Sequence, residues 1–252
     1  MKIITFANHK GGVGKTTTVA NIGYALAHNH KKRVLMIDMD PQTNLTTHFG
    51  LYVRPENTMY EILRGSADIS SSIHELSPKL HLLPSSLDVT NTESELQGVT
   101  GREFVLREAL EAVQGYDVVL IDTPPSLGIL TVNAFTASTD ICIVVQTEFF
   151  ALQGLAKLYE IITIVQKRTN PQLTISGVIP TMFDRRKGMH TEALEALEAR
   201  FKNELFNVPV TEAIALVEAA SAGKSIFEYK PNSKAADQYN ELANMITKKI
   251  LR

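Results

Sequence analysis

Residues 7–18 read ANHKGGVGKTTT. A strand-like run, Ile3 to Ala7, precedes this stretch, and a helical pattern, Thr16 to Ala27, follows it. Strand, glycine-rich turn and helix in that order form the context of a phosphate-binding loop. Gly11, Gly12, Val13 and Gly14 offer backbone N–H groups that curl around an anion, with no Cβ in the way at the glycines. Lys15 is placed to reach the β- and γ-phosphates, Thr16 to ligate Mg²⁺, and Thr17 to support the α-phosphate at the positive end of the helix. The strict pattern G-x-x-x-x-G-K-[ST] is not met, because His9 occupies its first glycine position. A dinucleotide fingerprint starting at Gly12 fails at Thr17. The match is to a variant, K-G-G-x-G-K-T, whose extra cation, Lys10, an ordinary phosphate loop does not need.

Outward from the loop, short apolar runs recur at Val34 to Ile37, Leu80 to Leu83, Val118 to Ile121, Ile141 to Val145 and Leu173 to Ile179. Several are apolar on consecutive residues, as strands covered on both faces are. Helical patterns lie between them, notably Arg102 to Val113, Leu155 to Arg168 and Thr191 to Phe201. The alternation predicts an α/β fold of the phosphate-loop NTPase type, a mostly parallel twisted sheet with helices on both faces. Neither a repeat nor a Gly/Pro-rich linker divides residues 1–252, so one ATPase domain is expected. Thr46 to Gly101, with Ser70, Ser71 and Ser72 and the turns LSPK and LLPSS, reads as surface turns around one short strand.

A magnesium nucleotide site also needs carboxylates at the ends of strands beside the loop. RVLMID ends at Asp38 and continues MDPQ, which places Asp40 just past the strand, where it could orient an attacking water. YDVVLID ends at Asp122, positioned to hold Mg²⁺ through water. Asp38 and Asp40 point the same way if the strand persists, although Pro41 limits how far it can.

The bulk numbers exclude other classes. Hydrophobic residues at 44% and charged residues at 21% are those of a globular protein. A single cysteine, Cys142, inside the apolar DICIVV, allows neither an intrachain disulfide nor a cysteine metal site, and a reducing cytoplasm is the expected home. The formal charge of -2 gives no global pull toward nucleic acid. No apolar run is long enough to span a bilayer, so no membrane partner is expected.

KGGVGKTTT, DMDPQTNLT and YDVVLIDTPPSLG, in this order and at these separations, resemble the ParA/Soj partition ATPases of the deviant Walker A class, relatives of MinD. The resemblance runs from Met1 to about Gly177, with later echoes in VIPTMFDRR and EAASAGKSI. It implies that Lys10 reaches across to the phosphates held by a second subunit, so that two chains sandwich two ATP molecules with Mg²⁺. A second cation on the transferring group acts as an arginine finger does in trans. It further implies that loss of Asp40 stops hydrolysis while leaving binding, that Asp38 supports the switch and the metal, and that Met182, Asp184 and Pro209 lie near the adenine. The partners it implies are a second copy, non-specific DNA and a ParB-like or other cargo adaptor that stimulates slow hydrolysis on the nucleoid. With the first strand at residue 3, no operator-binding helix-turn-helix is expected ahead of the loop.

The family often carries arginines before its E-A-P-S motif, whereas this chain reads VPVTEAIALVEAASAG, with Ala215 at one such position. Basic residues gather later at Lys224, Lys230, Lys234, Lys248, Lys249 and Arg252, six against the three acids Glu228, Asp237 and Glu241. They form one candidate DNA surface, and DRRK at 184–187 is a second. Tyr239, Leu242, Ile246 and Ile250 recur at helical spacing within Ala235 to Leu251 and predict a helix packed on the domain rather than a MinD-like membrane helix. The competing classes are an ATP-dependent metabolic enzyme on the same loop and a MinD-like membrane-surface ATPase.

Overall fold

The computed structural model describes residues 1–51, 57–148 and 152–251. Its strands are β1 (Lys2–Ala7), β2 (Val34–Asp38), β3 (His74–Ser77), β4 (Leu80–Leu83), β5 (Val118–Asp122), β6 (Asp140–Gln146) and β7 (Thr174–Thr181). They form one sheet in the order β3-β4-β2-β5-β1-β6-β7, parallel throughout except for the antiparallel edge pair β3–β4. The helices are α1 (Lys15–His28), α2 (Asn44–His48), α3 (Met59–Leu63), α4 (Thr92–Glu95), α5 (Val105–Glu111), α6 (Ile129–Ala137), α7 (Ala156–Arg168), α8 (Gly188–Phe201), α9 (Ile214–Ser221), α10 (Ile226–Tyr229) and α11 (Lys234–Lys249). This is the expected α/β phosphate-loop fold.

Every residue of β2 and of β5 is buried, which is why their sequences are apolar without alternation. One face of the sheet, with Phe6, Met36, Leu120 and Val144, packs on α1 and α11. The opposite face splits in two: Ile37 and Ile121 pack under α3, α5 and α6, and Ile143 and Val145 pack under α7 and α8. β5 lies between β1 and β2, so the chain leaves β1 in one direction along the sheet and later crosses from β5 past β1 to β6 in the other. Where the strand order reverses, the carboxyl ends of β1, β2 and β5 open the crevice in which such sheets bind ligands.

Two elements escape the sequence pattern. The segment from Thr46 to Gly101 carries not one strand but a β3–β4 hairpin, together with α3, which opens on a capping box of Thr58 and Glu61. β3, HELS, is a four-residue edge strand without a fully buried position, so no apolar run announces it. Helix α6 is buried nearly all round, and a helix without a polar face has no 3.6-residue period to read. The terminal helix behaves as its stripe predicts. Tyr239, Leu242, Ile246 and Ile250 are buried, with Tyr239 against α1, where its hydroxyl lies 3.4 Å from Thr18 Oγ1. An amphipathic stripe committed to the core leaves none of these side chains for a bilayer.

Candidate nucleotide site

The loop between β1 and α1 turns on two left-handed glycines, Gly12 at φ 74° and Gly14 at φ 86°, the second of which begins α1. A side chain is strained in either conformation. The turn is pinned from both flanks by residues remote in sequence. Asn8 Nδ2 donates to the Val144 carbonyl at 2.6 Å while its Oδ1 accepts the Lys10 N–H at 2.9 Å. Thr181 Oγ1, at the end of β7, donates to the Val13 carbonyl at 2.8 Å. Sequence reasoning missed both pins, because an isolated Asn or Thr carries no signal until the sheet brings β6 and β7 beside the loop.

Asp38 and Asp122 are register partners across β2 and β5, and both are wholly buried. Asp38 is fully engaged: Oδ2 accepts the Thr46 N–H at 2.9 Å and the Thr46 hydroxyl at 2.7 Å, and Oδ1 accepts the Asp40 N–H at 3.1 Å. Burial pushes its carboxyl up to about 6, although these hydrogen bonds oppose the shift. The strand stops at Asp38, so Asp40 does not continue the pleat. It sits in a turn closed by its Oδ1 accepting the Gln42 N–H at 2.9 Å, 6% exposed, on the wall of the cavity beside the loop. Asp38 therefore braces the segment that carries Asp40, and Thr46 is the unforeseen partner through which it does so.

Asp122 is different. Thr16 Oγ1 donates to its Oδ2 at 2.6 Å, while its buried Oδ1 has no hydrogen-bond partner. Burial first, and the neighbouring Asp38 carboxylate second, hold Asp122 well above the usual carboxylate range. An unsatisfied, high-pKa carboxylate beside a threonine hydroxyl at a helix N-terminus has the donor set of a hydrated divalent cation. Among the described residues no group of three His, Cys, Asp or Glu side chains could hold a metal. A cation held by Thr16 and Asp122 would need its remaining ligands from outside these two side chains, as phosphate oxygens and water could supply.

The two lysines of the loop part company. Lys15 is 7% exposed and lowered in pKa by burial, a shift that the Asp122 and Asp40 carboxylates oppose. Lys10 is exposed: its Nζ lies 3.2 Å from Oε1 of Gln146, the last residue of β6, and 2.5 Å from Oε2 of Glu148 just beyond it. The cavity has a volume of 540 Å³ and is lined by the loop from Gly11 to Thr17, by Asp40, Pro125 and Met182, by His48 of α2 and by Ala220 and Ser221 of α9. Lys15 lines it and Lys10 does not.

Of the residues expected near the base, Met182, at φ 54°, lines this cavity. Asp184 and Pro209 line a neighbouring groove of 670 Å³. There Asp184 is gripped by Arg186 through Nε and Nη2 at 3.0 and 2.9 Å, which holds its carboxyl well below the usual range. The candidate DNA residues separate. Lys224, Lys230, Lys234, Lys248 and Lys249 are all exposed, but Lys234 and Lys248 stand at opposite ends of α11, about 21 Å apart along the helix. Lys249 is tied down by donating to the Asn203 carbonyl at 2.6 Å and by lying over the Phe206 ring. Arg252 lies outside the described residues. Lys234 instead joins Arg185 and Arg186 around the 670 Å³ groove, so that one lysine of the first candidate surface meets the second. Ala215 is half-buried and packs against the core.

A family model described as an AAA domain matches residues 1–175. Over 248 residues the chain is 41% identical to the sporulation initiation inhibitor protein Soj of Bacillus subtilis, covering 97% of this chain and 98% of that protein. The chain belongs to the ParA/Soj partition ATPase family. Among solved structures, this ParA/Soj member resembles a plasmid partition protein of Borrelia burgdorferi bound to AMPPNP, at 30% identity and a TM-score of 0.82, covering 99% of each chain. It likewise resembles a cobyrinic acid a,c-diamide synthase of Mycobacterium smegmatis with bound ATP analog and magnesium, at 34% identity and a TM-score of 0.84, covering 100% of this chain and 97% of that one.

Proposed function

We propose that this chain, a single ATPase domain, binds ATP with Mg²⁺, pairs with a second copy across the bound nucleotides, binds DNA without sequence preference in that state and positions a cargo. ATP hydrolysis to ADP and phosphate then releases the pair. The observation that carries the reading is the division between the lysines. Lys15 lies inside its own cavity with Asp40 and Thr16, whereas Lys10 is exposed at the rim, paired with Glu148 and hydrogen-bonded to Gln146. A cation so placed is available to a phosphate brought by another subunit, where it would stabilise charge on the transferring group.

In this reading the loop N–H groups from Gly11 to Thr17 cradle the phosphates, and Thr16 and Asp122 hold the cation. When bound, Mg²⁺ supplies charge neutralisation of the phosphate oxygens. Asp40 orients the attacking water, and Asp38 with Thr46 keeps Asp40 in place. Met182 lies toward the base, and the groove of Asp184 and Pro209 continues the site outward. The DNA surface is assigned to Arg185, Arg186 and Lys187 with Lys234, because phosphate contacts need clustered, exposed cations. Hydrolysis is slow alone and is stimulated by a ParB-like or other cargo adaptor, and the working location is the nucleoid.

The test is Lys10→Ala. Sedimentation with AMPPNP and Mg²⁺ should show dimers of the unaltered chain and monomers of the variant, with nucleotide affinity of the monomer changed by less than about threefold. Arginine fingers in trans are worth about 10³ or more in rate, so ATPase activity should fall by a comparable factor. A variant that dimerises and hydrolyses normally would sink the reading.

The likeness to the M. smegmatis synthase favours a second reading, an enzyme that uses ATP to activate a small-molecule carboxylate. It predicts turnover that is indifferent to DNA and to protein partners, so a DNA-stimulation assay separates the two.

A further inference from the structure

Helix α2 cannot hold itself. It is five residues long, begins after Thr43 at φ 55° and has no side-chain cap. A helix this short is unstable alone, because its few hydrogen bonds do not offset the ordering of the first turn. Yet α2 follows directly on the turn that carries Asp40, where the Thr43 N–H donates to the Asp40 carbonyl at 2.9 Å. Whatever fixes α2 also fixes Asp40.

Tertiary ties hold the helix instead. Leu45 is buried in the core, Thr46 donates twice to Asp38, and His48 reaches from the last position of α2 to the turn that follows α9. His48 is 4% exposed and lies on the cavity wall, with its Nε2 3.1 Å from the Lys224 carbonyl. A carbonyl only accepts, so Nε2 carries the ring proton. Burial lowers the imidazole pKa, a shift that the Lys224 carbonyl and the Glu228 carboxylate oppose, and the neutral ring in this tautomer still donates.

The Lys224 turn is itself fastened to the phosphate-binding helix. The Ile226 N–H donates to Asn21 Oδ1 at 2.8 Å, and Asn21 Nδ2 donates to the Thr17 carbonyl at 2.8 Å. His48 therefore closes a hydrogen-bonded belt that runs from Thr17 through Asn21, the Lys224 turn and α2 to Asp38. Thr16 and Asp122, with Asp122 in register beside Asp38, join the same two segments by a second route. The phosphate loop stands at one end of the belt and the segment of Asp40 at the other.

We propose that His48 is a positioning residue for ATP hydrolysis: by clamping α2 to the Lys224 turn it fixes Asp40 relative to the phosphate loop. The inference rests on the assignment of Asp40 as the group that orients the attacking water. It adds the side chain that keeps that group aligned with the phosphates. The loop and Lys15 bind nucleotide without the clamp, so its loss acts on turnover rather than on affinity.

The experiment measures single-turnover ATP hydrolysis, and AMPPNP affinity by equilibrium dialysis, both with Mg²⁺ and well below every melting temperature. The proteins are the unaltered chain, His48→Leu, His48→Gln, Asp40→Ala and Asp40→Ala/His48→Leu. A displacement of about 1 Å at a reacting group can cost about 10²-fold, so His48→Leu should hydrolyse about 10- to 100-fold more slowly while binding AMPPNP within about threefold. His48→Gln, whose amide nitrogen can donate to the Lys224 carbonyl, should recover the rate to within about threefold of the unaltered chain. Adding His48→Leu to Asp40→Ala should slow hydrolysis by less than about twofold, because a residue that acts through Asp40 then has nothing left to position. If Asp40→Ala hydrolyses like the unaltered chain, the assignment of Asp40 fails and this inference with it. If Asp40→Ala is slow and His48→Leu is not, the Asp40 reading stands and the clamp is overturned. The clamp is equally overturned if His48→Gln is as slow as His48→Leu, if affinity falls as far as rate, or if the two substitutions add in full.

Discussion

The floor and the rim of the nucleotide cavity are built on opposite principles. At the floor, Asp38, Asp122 and Lys15 are buried ionisable groups whose proton affinities are displaced by the loss of water. Asp38 and Asp122 are fixed by strand register and short hydrogen bonds, and Lys15 by its place in the first turn of α1. At the rim, Lys10 and Glu148 form an ion pair with side chains 53% and 43% exposed, and α9 presents bare aliphatic groups. Exposed pairs contribute about 0.2–1 kcal/mol, whereas breaking a buried one costs about 3–5. The floor can therefore hold a geometry through a catalytic cycle, and the rim can exchange partners at little cost.

The two largest effects that would break this contrast lie at the floor, one on binding and one on turnover. Lys15→Ala removes the one lysine or arginine among the described residues of the cavity wall, and loss of a buried charge partner costs about 2–5 kcal/mol, so AMPPNP affinity should fall by at least about 30-fold in equilibrium dialysis. An affinity near that of the unaltered chain would show that Lys15 does not face phosphate. Next is Asp40→Ala. Positioned acid–base groups supply about 10²–10⁴ in rate, and kcat should drop by about that much while nucleotide affinity stays within a few-fold. Parallel loss of binding and turnover would instead make Asp40 structural.

The buried carboxyls predict an acid-favouring floor. A carboxyl whose folded pKa is raised stabilises the fold below the unfolded value, near 4, and that contribution is lost as pH rises through the folded value. For Asp38 the loss centres at about 6, and for Asp122 it comes higher. The nucleotide-free chain should therefore melt at lower temperature as pH rises from about 6 to 8, whereas Asp122→Asn should melt with a flatter dependence. Magnesium nucleotide should flatten it as well, since a cation replaces the proton. Identical slopes for the two chains, followed by scanning calorimetry across that range, would remove Asp122 from the titration.

The smallest effect belongs to the rim. Glu148→Gln removes an exposed pair worth about 0.2–1 kcal/mol, so it should shift the ATP concentration for half-maximal hydrolysis by less than about fivefold and leave the maximal rate intact. Abolished activity would promote Glu148 to the floor class.

The loop from Asn8 to Thr17 and the carboxylates Asp38, Asp40 and Asp122 are legible in the sequence because phosphate and magnesium chemistry demand particular residues at fixed spacing from a strand end. The class of fold is legible for a similar reason, since strands covered on both faces must be apolar on consecutive residues. What surrounds them is not local. Thr46, which accompanies Asp38, and Asn8 and Thr181, which pin the loop, act across gaps of 8 to 168 residues. The unfulfilled oxygen of Asp122, and the Asp38 carboxylate set beside it by the register of β2 and β5, are visible only in the folded chain.

The same division governs the cations. Sequence counted six basic residues toward the C-terminus, and the length of α11 then parted Lys234 from Lys248 and set it beside Arg185 and Arg186. Nor does IALVEAAS look exceptional as a string, since buried helices are often so composed. Only its place beside the cavity, where Ala219 alone of its residues is fully buried, leaves Ile214 and Val217 in water. Composition and spacing determine which chemistry a chain can perform, because those are properties of neighbouring residues. Which groups are dried, paired or left open is decided by the tertiary structure, because burial is a property of everything packed around them.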